Sequence, residues 1–435
     1  MQDQHGKQRR IVVFSADAMV WEDVEHLMAQ PGMAELFGQG AVVKRVKTIY
    51  PSVTYPCHTS MSTGAYPDKH GVVNNGEFHP GRLDLPWNWF ASAIRCPDIF
   101  TAAKEKGLTT AAVFWPVTGC HPAVDYLVAE YWPQGPEDTK EACYRRAGTS
   151  EELYRRAVAP YMEGLTIRTH PDTDRFLVNC CCDILREYRP HLLMIHTGDI
   201  DHYRHATGVF SDQVKKGVED TAAWLLQLVE AAKEAGTFED TDFFLVSDHG
   251  QMGIVRAVRP NVLFAEQGLI QVDGQGHLTD WTAYCHSAGM SAQVHLKDPT
   301  DRAAYEKTYR LLQWMRDEGV YGIGQVYTAE EAAREHLSGD FSFVLETDGY
   351  TSFAEEWQRP LIQPLDLSDY RFGHATHGYH PDKGPQPTLL AFGPDIRPGA
   401  VVERRPIVDE APTYAQILGV ELPWADGSPI SEILR

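Results

Sequence analysis

Short, nearly unbroken apolar runs recur along this chain, and stretches with helical spacing separate them. The runs fall at residues 11–14, 42–49, 110–114, 192–196, 243–247 and 388–392. The helical patterns fall at 22–37, 99–106, 151–162, 174–187, 212–235 and 411–418. A strand that is apolar throughout must be covered on both faces. Such runs, alternating with helices, predict an α/β fold: a mostly parallel central sheet with helices on both sides. Between 265 and 370 the pattern changes, with strands at 292–296, 324–327 and 341–345 and helices at 302–318 and 329–336. That stretch is expected to form a smaller α+β insertion, leaving 1–264 and 371–435 as the core. A length of 435 residues suits this division.

Ligands of parallel sheets gather beyond the carboxyl ends of the strands. Acidic residues and histidines stand where such a site needs them. Asp17 follows the first apolar run, Asp201 the run at 192–196, and Asp248 the run at 243–247. Asp201 and His205 are four apart and share a face if their segment is helical. Asp248 and His249 are adjacent, so both can serve one site only on a turn, which Gly250 permits. His377 precedes Gly378, and Thr54 lies between Pro51 and Pro56, in what reads as a rigid turn presenting its hydroxyl. Each element has a bland account, a strand-end turn or a solvated polar face. Their joint occurrence in this order points to two divalent cations. Two ions placed close together suit phosphoryl transfer, because both the attacking and the leaving oxygen carry charge. Mixed Asp/His ligands suit zinc, with manganese or iron as alternatives.

The net charge of −21 excludes a general binder of polymeric nucleic acid, since no basic field is available to neutralise a phosphate backbone. It leaves a small phosphorylated substrate open, because bound cations supply local positive charge. None of the eight cysteines has zinc-ribbon spacing, and the run at 180–182 reads as small core residues in a helix. A reducing, cytoplasmic location is the simpler expectation, with a secreted form left open. The basic lead-in Lys7-Gln-Arg-Arg10 imitates the start of a signal peptide, but Asp17 breaks the apolar stretch behind it. No run reaches the ~20 apolar residues of a membrane span. Oligomeric state has no readable signal.

Pro51-Ser-Val-Thr-Tyr-Pro-Cys-His-Thr-Ser-Met-Ser-Thr-Gly-Ala-Tyr-Pro-Asp-Lys-His-Gly71 resembles the nucleophile region of the alkaline phosphatase superfamily, and within it of the nucleotide pyrophosphatase/phosphodiesterase family. Phe114-Trp-Pro116 and Pro412-Thr-Tyr-Ala-Gln-Ile-Leu-Gly419 resemble further segments of that family. The resemblance implies an alkaline phosphatase-like core and two zinc sites. Asp17, Thr54, Asp248 and His249 would hold one ion; Asp201, His205 and His377 would hold the other. Thr54 would be the nucleophile and would form a phospho-threonine intermediate. Cys57 stands where the family usually has an asparagine that donates to a phosphoryl oxygen, and a thiol is a much weaker donor. Tyr55 would offer a ring for a flat leaving group, with Tyr131 on the opposite wall and Asn75 as a further substrate contact. His70 is expected to brace its loop, and His58, His202, His374 and His380 to flank the ligands.

The leading expectation is therefore hydrolysis of phosphodiester or pyrophosphate bonds in a small phosphorylated compound, with nucleotides among the candidates. The alternative on the same core is a phosphomonoesterase or phosphonate hydrolase. That enzyme needs extra positive charge near the nucleophile, and no Arg lies between Val46 and Gly81. A sulfatase lacks support because its Cys/Ser-x-Pro-x-Arg motif is missing from the nucleophile region. A metal-binding protein without turnover would keep the ligands but has no use for the threonine.

Overall fold

The computed structural model describes residues 9–83, 86–367 and 373–435. The strands that organise it are β1 (Arg10–Ala16), β2 (Ala41–Lys47), β3 (Thr110–Val113), β4 (Tyr126–Val128), β5 (Leu192–Thr197), β6 (Thr241–Val246), β7 (Ala283–Ser287), β8 (Ser291–Leu296), β9 (Ile323–Thr328), β10 (Phe343–Thr347), β11 (Leu389–Phe392) and β12 (Ala400–Pro406). The helices that matter below are α1 (Thr54–Thr63), α2 (Ile99–Glu105), α3 (Asp172–Tyr188), α4 (Asp199–Thr207), α5 (Asp212–Glu234), α6 (Arg302–Glu318) and α7 (Glu410–Leu418).

An eight-stranded sheet runs in the order β12-β2-β11-β6-β1-β5-β3-β4. The pairs β6/β1, β1/β5, β5/β3, β3/β4 and β2/β12 are parallel, and β11 alone runs antiparallel to both its neighbours. The mostly parallel sheet expected from the apolar runs is present. Alternate residues of β1 feed opposite layers. Val12, Phe14 and Ala16 pack with α3 and α5 on one side, while Ile11 and Val13 pack toward α1, α2 and α7 on the other. The helix expected over 22–37 is broken into Val24–Met28 and Met33–Gly38, because Pro31 and a left-handed Gly32 intervene. The helix expected over 151–162 is a single α-turn at Glu151–Leu153 followed by a π-turn and a 3-10 turn that contains Pro160.

Strands β7, β8, β10 and β9 form a separate antiparallel sheet in that order, covered by α6 and holding its own apolar cluster around Val294, Leu312, Phe343 and Leu345. The boundary expected at 370/371 lies outside the described residues, as do Lys7 and Gln8 of the basic lead-in. Glu346 of β10, almost fully buried, ties this sheet to the larger one. Its carboxylate accepts from Tyr50 Oη at 2.9 Å, the His380 amide at 3.1 Å and Lys383 Nζ at 2.8 Å.

Candidate metal centre and cavity

β6, β1 and β5 lie side by side and parallel, so their carboxyl ends discharge three loops at one place. Asp17 follows β1 and anchors to β5 through its amide, which donates to Thr197 O at 2.9 Å. Asp248 and His249 follow β6. Asp201 and His205 sit one helical turn apart on α4, as their spacing predicted. Gly250 is demanded by crowding: a Cβ there would lie 2.3 Å from Pro385 O. Gly378, beside His377, has φ +95, and a Cβ there would lie 1.8 Å from Ala288 O.

These side chains form two groups. One ligand-capable atom from each of Asp17, Asp248 and His249 lies within 4.8 Å of the others, and the same holds for Asp201, His205 and His377. Thr54 Oγ1 is 3.2 Å from His249 Nε2, which itself stands 3.4 Å from Asp17 Oδ1 and 3.2 Å from Asp248 Oδ2. The His377 ring stacks on His249 at 3.9 Å and brings its Nε2 to 3.9 Å from Asp201 Oδ1, so it joins the two groups. Thr54 is the first residue of α1, where a rigid turn was expected. Its hydroxyl is thereby held at the electropositive end of a helix.

The donor sets fit cations. His205 Nδ1 donates to Ala375 O at 2.7 Å and His377 Nδ1 to Ser52 O at 3.2 Å, which leaves each Nε2 as the lone-pair edge. Asp17 Oδ1, Asp248 Oδ2 and His249 Nδ1 are buried and have no hydrogen-bond partner among the described residues. Burial pushes Asp17 and Asp248 well above the usual carboxylate range, with repulsion from Asp201 adding to it at Asp17 and repulsion from Asp17 adding to it at Asp248. Burial also raises Asp201, but His205, His377 and His249 override it and hold that group well below the usual range. Burial lowers His249 well below an ordinary imidazole and His377 to about 4, so both are neutral, the form that ligates a metal. Two buried carboxylates side by side carry a heavy desolvation cost that a divalent cation offsets.

Three residues that hold these groups in place escaped the sequence. His196, the penultimate residue of β5, donates from Nε2 to Asp17 Oδ2 at 3.1 Å. Gln251, fully buried, donates from Nε2 to both the carbonyl and the carboxylate of Asp201. Thr48 donates to the Asp248 carbonyl at 2.7 Å. A histidine ending an apolar run and a glutamine three residues past an aspartate carry no local signal of these roles. His58, expected beside the ligands, donates from Nδ1 to Thr54 O at 2.9 Å and stands 3.4 Å from Asp248 Oδ2. His70 braces its loop through Ser60 at 3.0 Å and the Val72 amide at 3.1 Å. His202 lines the cavity, while His374 and His380 do not.

A cavity of about 520 Å³ opens over Thr54, Asp17, Asp201, His205 and His377. Its further walls include Asn75, Trp87, Phe114, Glu130, Arg168 and His170 from the core and His286–Gly289 with Glu355 and Glu356 from the region of the smaller sheet. Asn75 lines it. Its Oδ1 accepts from the Tyr55 amide at 2.8 Å, which leaves the amide nitrogen as the donor end near Thr54. Three expected substrate contacts are corrected. Cys57 is fully buried one helical turn into α1, with its thiol donating to Thr48 Oγ1 at 3.1 Å, and it does not line the cavity. Tyr55 turns inward against Trp87, the ring that does reach the cavity. Tyr131 packs against Trp89 at 5.0 Å and Phe90 at 5.6 Å, away from it.

The chain belongs to the Type I phosphodiesterase / nucleotide pyrophosphatase family, whose family model matches residues 11–380. Human ectonucleotide pyrophosphatase/phosphodiesterase family member 1 is 22% identical over 227 residues, which are 51% of this chain and 21% of that protein. Venom phosphodiesterase 2 of Crotalus adamanteus is 24% identical over 253 residues, 56% of this chain and 27% of that protein. The matches thus span little more than a quarter of these relatives' length at most. Among solved structures, murine ectonucleotide pyrophosphatase/phosphodiesterase 5 matches with a TM-score of 0.68 at 17% identity, covering 98% of this chain and 100% of that one. An inactive form of it in complex with AMP matches with the same TM-score over 99% of this chain. At such identity the likeness establishes the alkaline phosphatase-like fold. No described helix is long and apolar enough to cross a membrane.

Proposed function

We propose that the chain hydrolyses phosphodiester or pyrophosphate bonds in small, nucleotide-like substrates, with Thr54 as nucleophile. The observation that carries this reading is the Thr54 hydroxyl, 3.2 Å from His249 Nε2, in one cavity with Asp17 of the first Asp/His group and with Asp201, His205 and His377 of the second. Asp17, Thr54, Asp248 and His249 would hold one ion, and Asp201, His205 and His377 the other. Zinc suits the mixed carboxylate and neutral imidazole donors. Such ions, when bound, ease ionisation of a nearby hydroxyl and offset charge on phosphoryl oxygens.

Thr54 Oγ1 attacks phosphorus opposite the leaving oxygen. The new Oγ1–P bond forms as the bond to the leaving group breaks, giving a phospho-threonine ester. The threonine proton is lost to solvent, and the departing oxygen takes one from water. The Asn75 amide donates to a phosphoryl oxygen as its charge grows. Water then attacks the same phosphorus, and the P–Oγ1 bond breaks to restore Thr54 and release the phosphate product. The AMP complex of the murine relative supports a nucleoside monophosphate as a moiety that fits.

Residues 265–370 are read as a cap subdomain, supported by their separate sheet, their own apolar cluster and their share of the cavity wall. All eight cysteines carry free thiols, which supports a reducing compartment.

Thr54→Ala is the test. Removing the nucleophile is expected to cost at least about 10³-fold in kcat on bis(p-nitrophenyl) phosphate, with thermal stability unchanged and acid-quenched protein losing the added mass of a phosphoryl group. Full activity in that variant overturns the reading. A kcat/KM for p-nitrophenyl phosphate above that for the diester favours the phosphomonoesterase alternative.

A further inference from the structure

Arg204 lies on α4 between the candidate ligands Asp201 and His205, and it is wholly buried. A guanidinium taken out of water is costly unless its donors find acceptors. Each of its nitrogens has one. Nε donates to Ala18 O at 3.0 Å, one terminal nitrogen to Val209 O just past the end of α4, and the other to the carboxylate of Asp23, itself buried. Asp23 Oδ2 also accepts from the Val20 amide at 2.8 Å, so this carboxylate is fixed to the same loop that Arg204 grips. The Phe210 ring closes over the guanidinium at 5.4 Å.

Ala18 is the residue after Asp17. Its backbone is left-handed, with φ +59, a conformation that costs energy where a Cβ is present and persists when neighbours hold it. Two neighbours do. The Ala18 amide donates to Asp248 Oδ1 at 3.2 Å, and its carbonyl takes the Arg204 bond. Ala18 thus stands between the two ligand groups. It is covalently joined to Asp17, hydrogen-bonded to Asp248, and clamped to the helix that carries Asp201 and His205. The bonds from Gln251 and to Ala375 act on Asp201 and His205 themselves. The Arg204 bond acts on the spacing between their helix and the loop of Asp17. Stability alone does not call for this arrangement, because apolar residues of similar volume fill a buried space at least as well as an ion pair.

We propose that Arg204 is a positioning residue: anchored by Asp23, it sets the distance between the Asp17/Asp248/His249 group and the Asp201/His205/His377 group, and through that distance the rate of the chemical step. This rests on the two-cation hydrolase reading above. Arg204 does not line the cavity and acts only through Ala18 and α4. Its planar fork holds three fixed directions at once, which a lysine ammonium on a flexible stem does not reproduce.

The test compares the full chain as wild type, as Arg204→Lys and as a double variant, Arg204→Met with Asp23→Asn, loaded with zinc for kinetics and with cobalt for spectroscopy. The double variant removes both buried charges together, so its melting temperature should stay near that of wild type. On bis(p-nitrophenyl) phosphate its kcat is expected to fall about 10²-fold, the cost of a small misplacement of catalytic groups, with KM within about twofold. The visible bands of its cobalt form should change in position and intensity, because they report the ligand geometry that the pair no longer sets. Arg204→Lys can keep the bond to Ala18 or to Asp23 but not both, and should recover part of the rate and of the wild-type bands. A folded double variant with wild-type kcat and wild-type bands overturns the proposal, as does an Arg204→Lys form slower than the double variant. If the double variant does not fold, Arg204→Lys with wild-type kcat and bands overturns it equally. Wild type that binds no cobalt and cleaves no diester defeats the hydrolase reading and this proposal with it, whereas an active wild type with an equally active double variant defeats only the role of Arg204.

Discussion

Asp17 and Asp248 bring two carboxylates to one imidazole and leave an inner oxygen of each without a hydrogen-bond donor among the described residues. A protein accepts that cost where a cation is expected to repay it. Around this centre, single residues divide sharply between those that face the cavity and those that only pack beneath it. Asn75 faces it, and Asn75→Ala is expected to lower kcat by about 10²-fold through loss of one donor to the phosphoryl group. Steady-state kinetics on bis(p-nitrophenyl) phosphate would measure this, and an unchanged kcat would remove Asn75 from the site. Cys57 lies beneath. Cys57→Asn would push an amide into a space that a thiol fills against Thr48. Thermal unfolding should show a loss of about 1–3 kcal/mol, with no gain in turnover. The motif around Thr54 places a small polar residue three positions after the nucleophile. Only the helical geometry of α1 reveals that this position turns away from the substrate.

At the scale of elements, the strands with both faces covered were legible, because continuous burial leaves continuous apolar runs. Edge strand β12 was not, because charged Glu403 and Arg404 at exposed positions, with half-buried Arg405 after them, break its apolar run. Nor was the reversed direction of β11 readable, since side-chain periodicity is the same either way along a strand. The site divided similarly. Asp17, Asp201 and Asp248 could be placed because each follows a strand of the parallel set, whereas His196 and Gln251 owe their roles to tertiary contacts. The base of β6 offers a pH test. Asp242 accepts from the Asp395 amide at 2.9 Å, and burial raises its pKa to about 8. The unfolded chain ionises near 4. Wild type thus loses stability from this group as pH rises from about 4 to about 8, and little more above that. Asp242→Asn keeps the acceptor and removes the proton. The melting temperature of the variant relative to wild type should therefore climb between pH 5 and pH 9, with 2–4 °C corresponding to about 1 kcal/mol. A flat difference would show that Asp242 is ionised in the folded protein at pH 5.

Across the whole molecule, the candidate ligands come from segments around residues 17, 54, 201, 248 and 377, and only tertiary structure brings them together. Two ions held there would cross-link the segments after β1 and β6 with α1, α4 and the segment at His377. Removing them with a chelator is expected to lower the melting temperature, and zinc to restore it. Ligand at about 100 times its Kd stabilises by about 2.7 kcal/mol per site. Scanning calorimetry of stripped and reloaded protein measures this, and identical transitions would count against metal in the folded state. The order of these segments has a bearing on biosynthesis. Once residue 249 has left the ribosome, Asp17, Asp248 and His249 have all been made. The companion set waits for His377, on the far side of the smaller sheet. A nascent chain can thus complete one donor triad more than a hundred residues before the other, and its second triad matures only after the intervening stretch has been laid down.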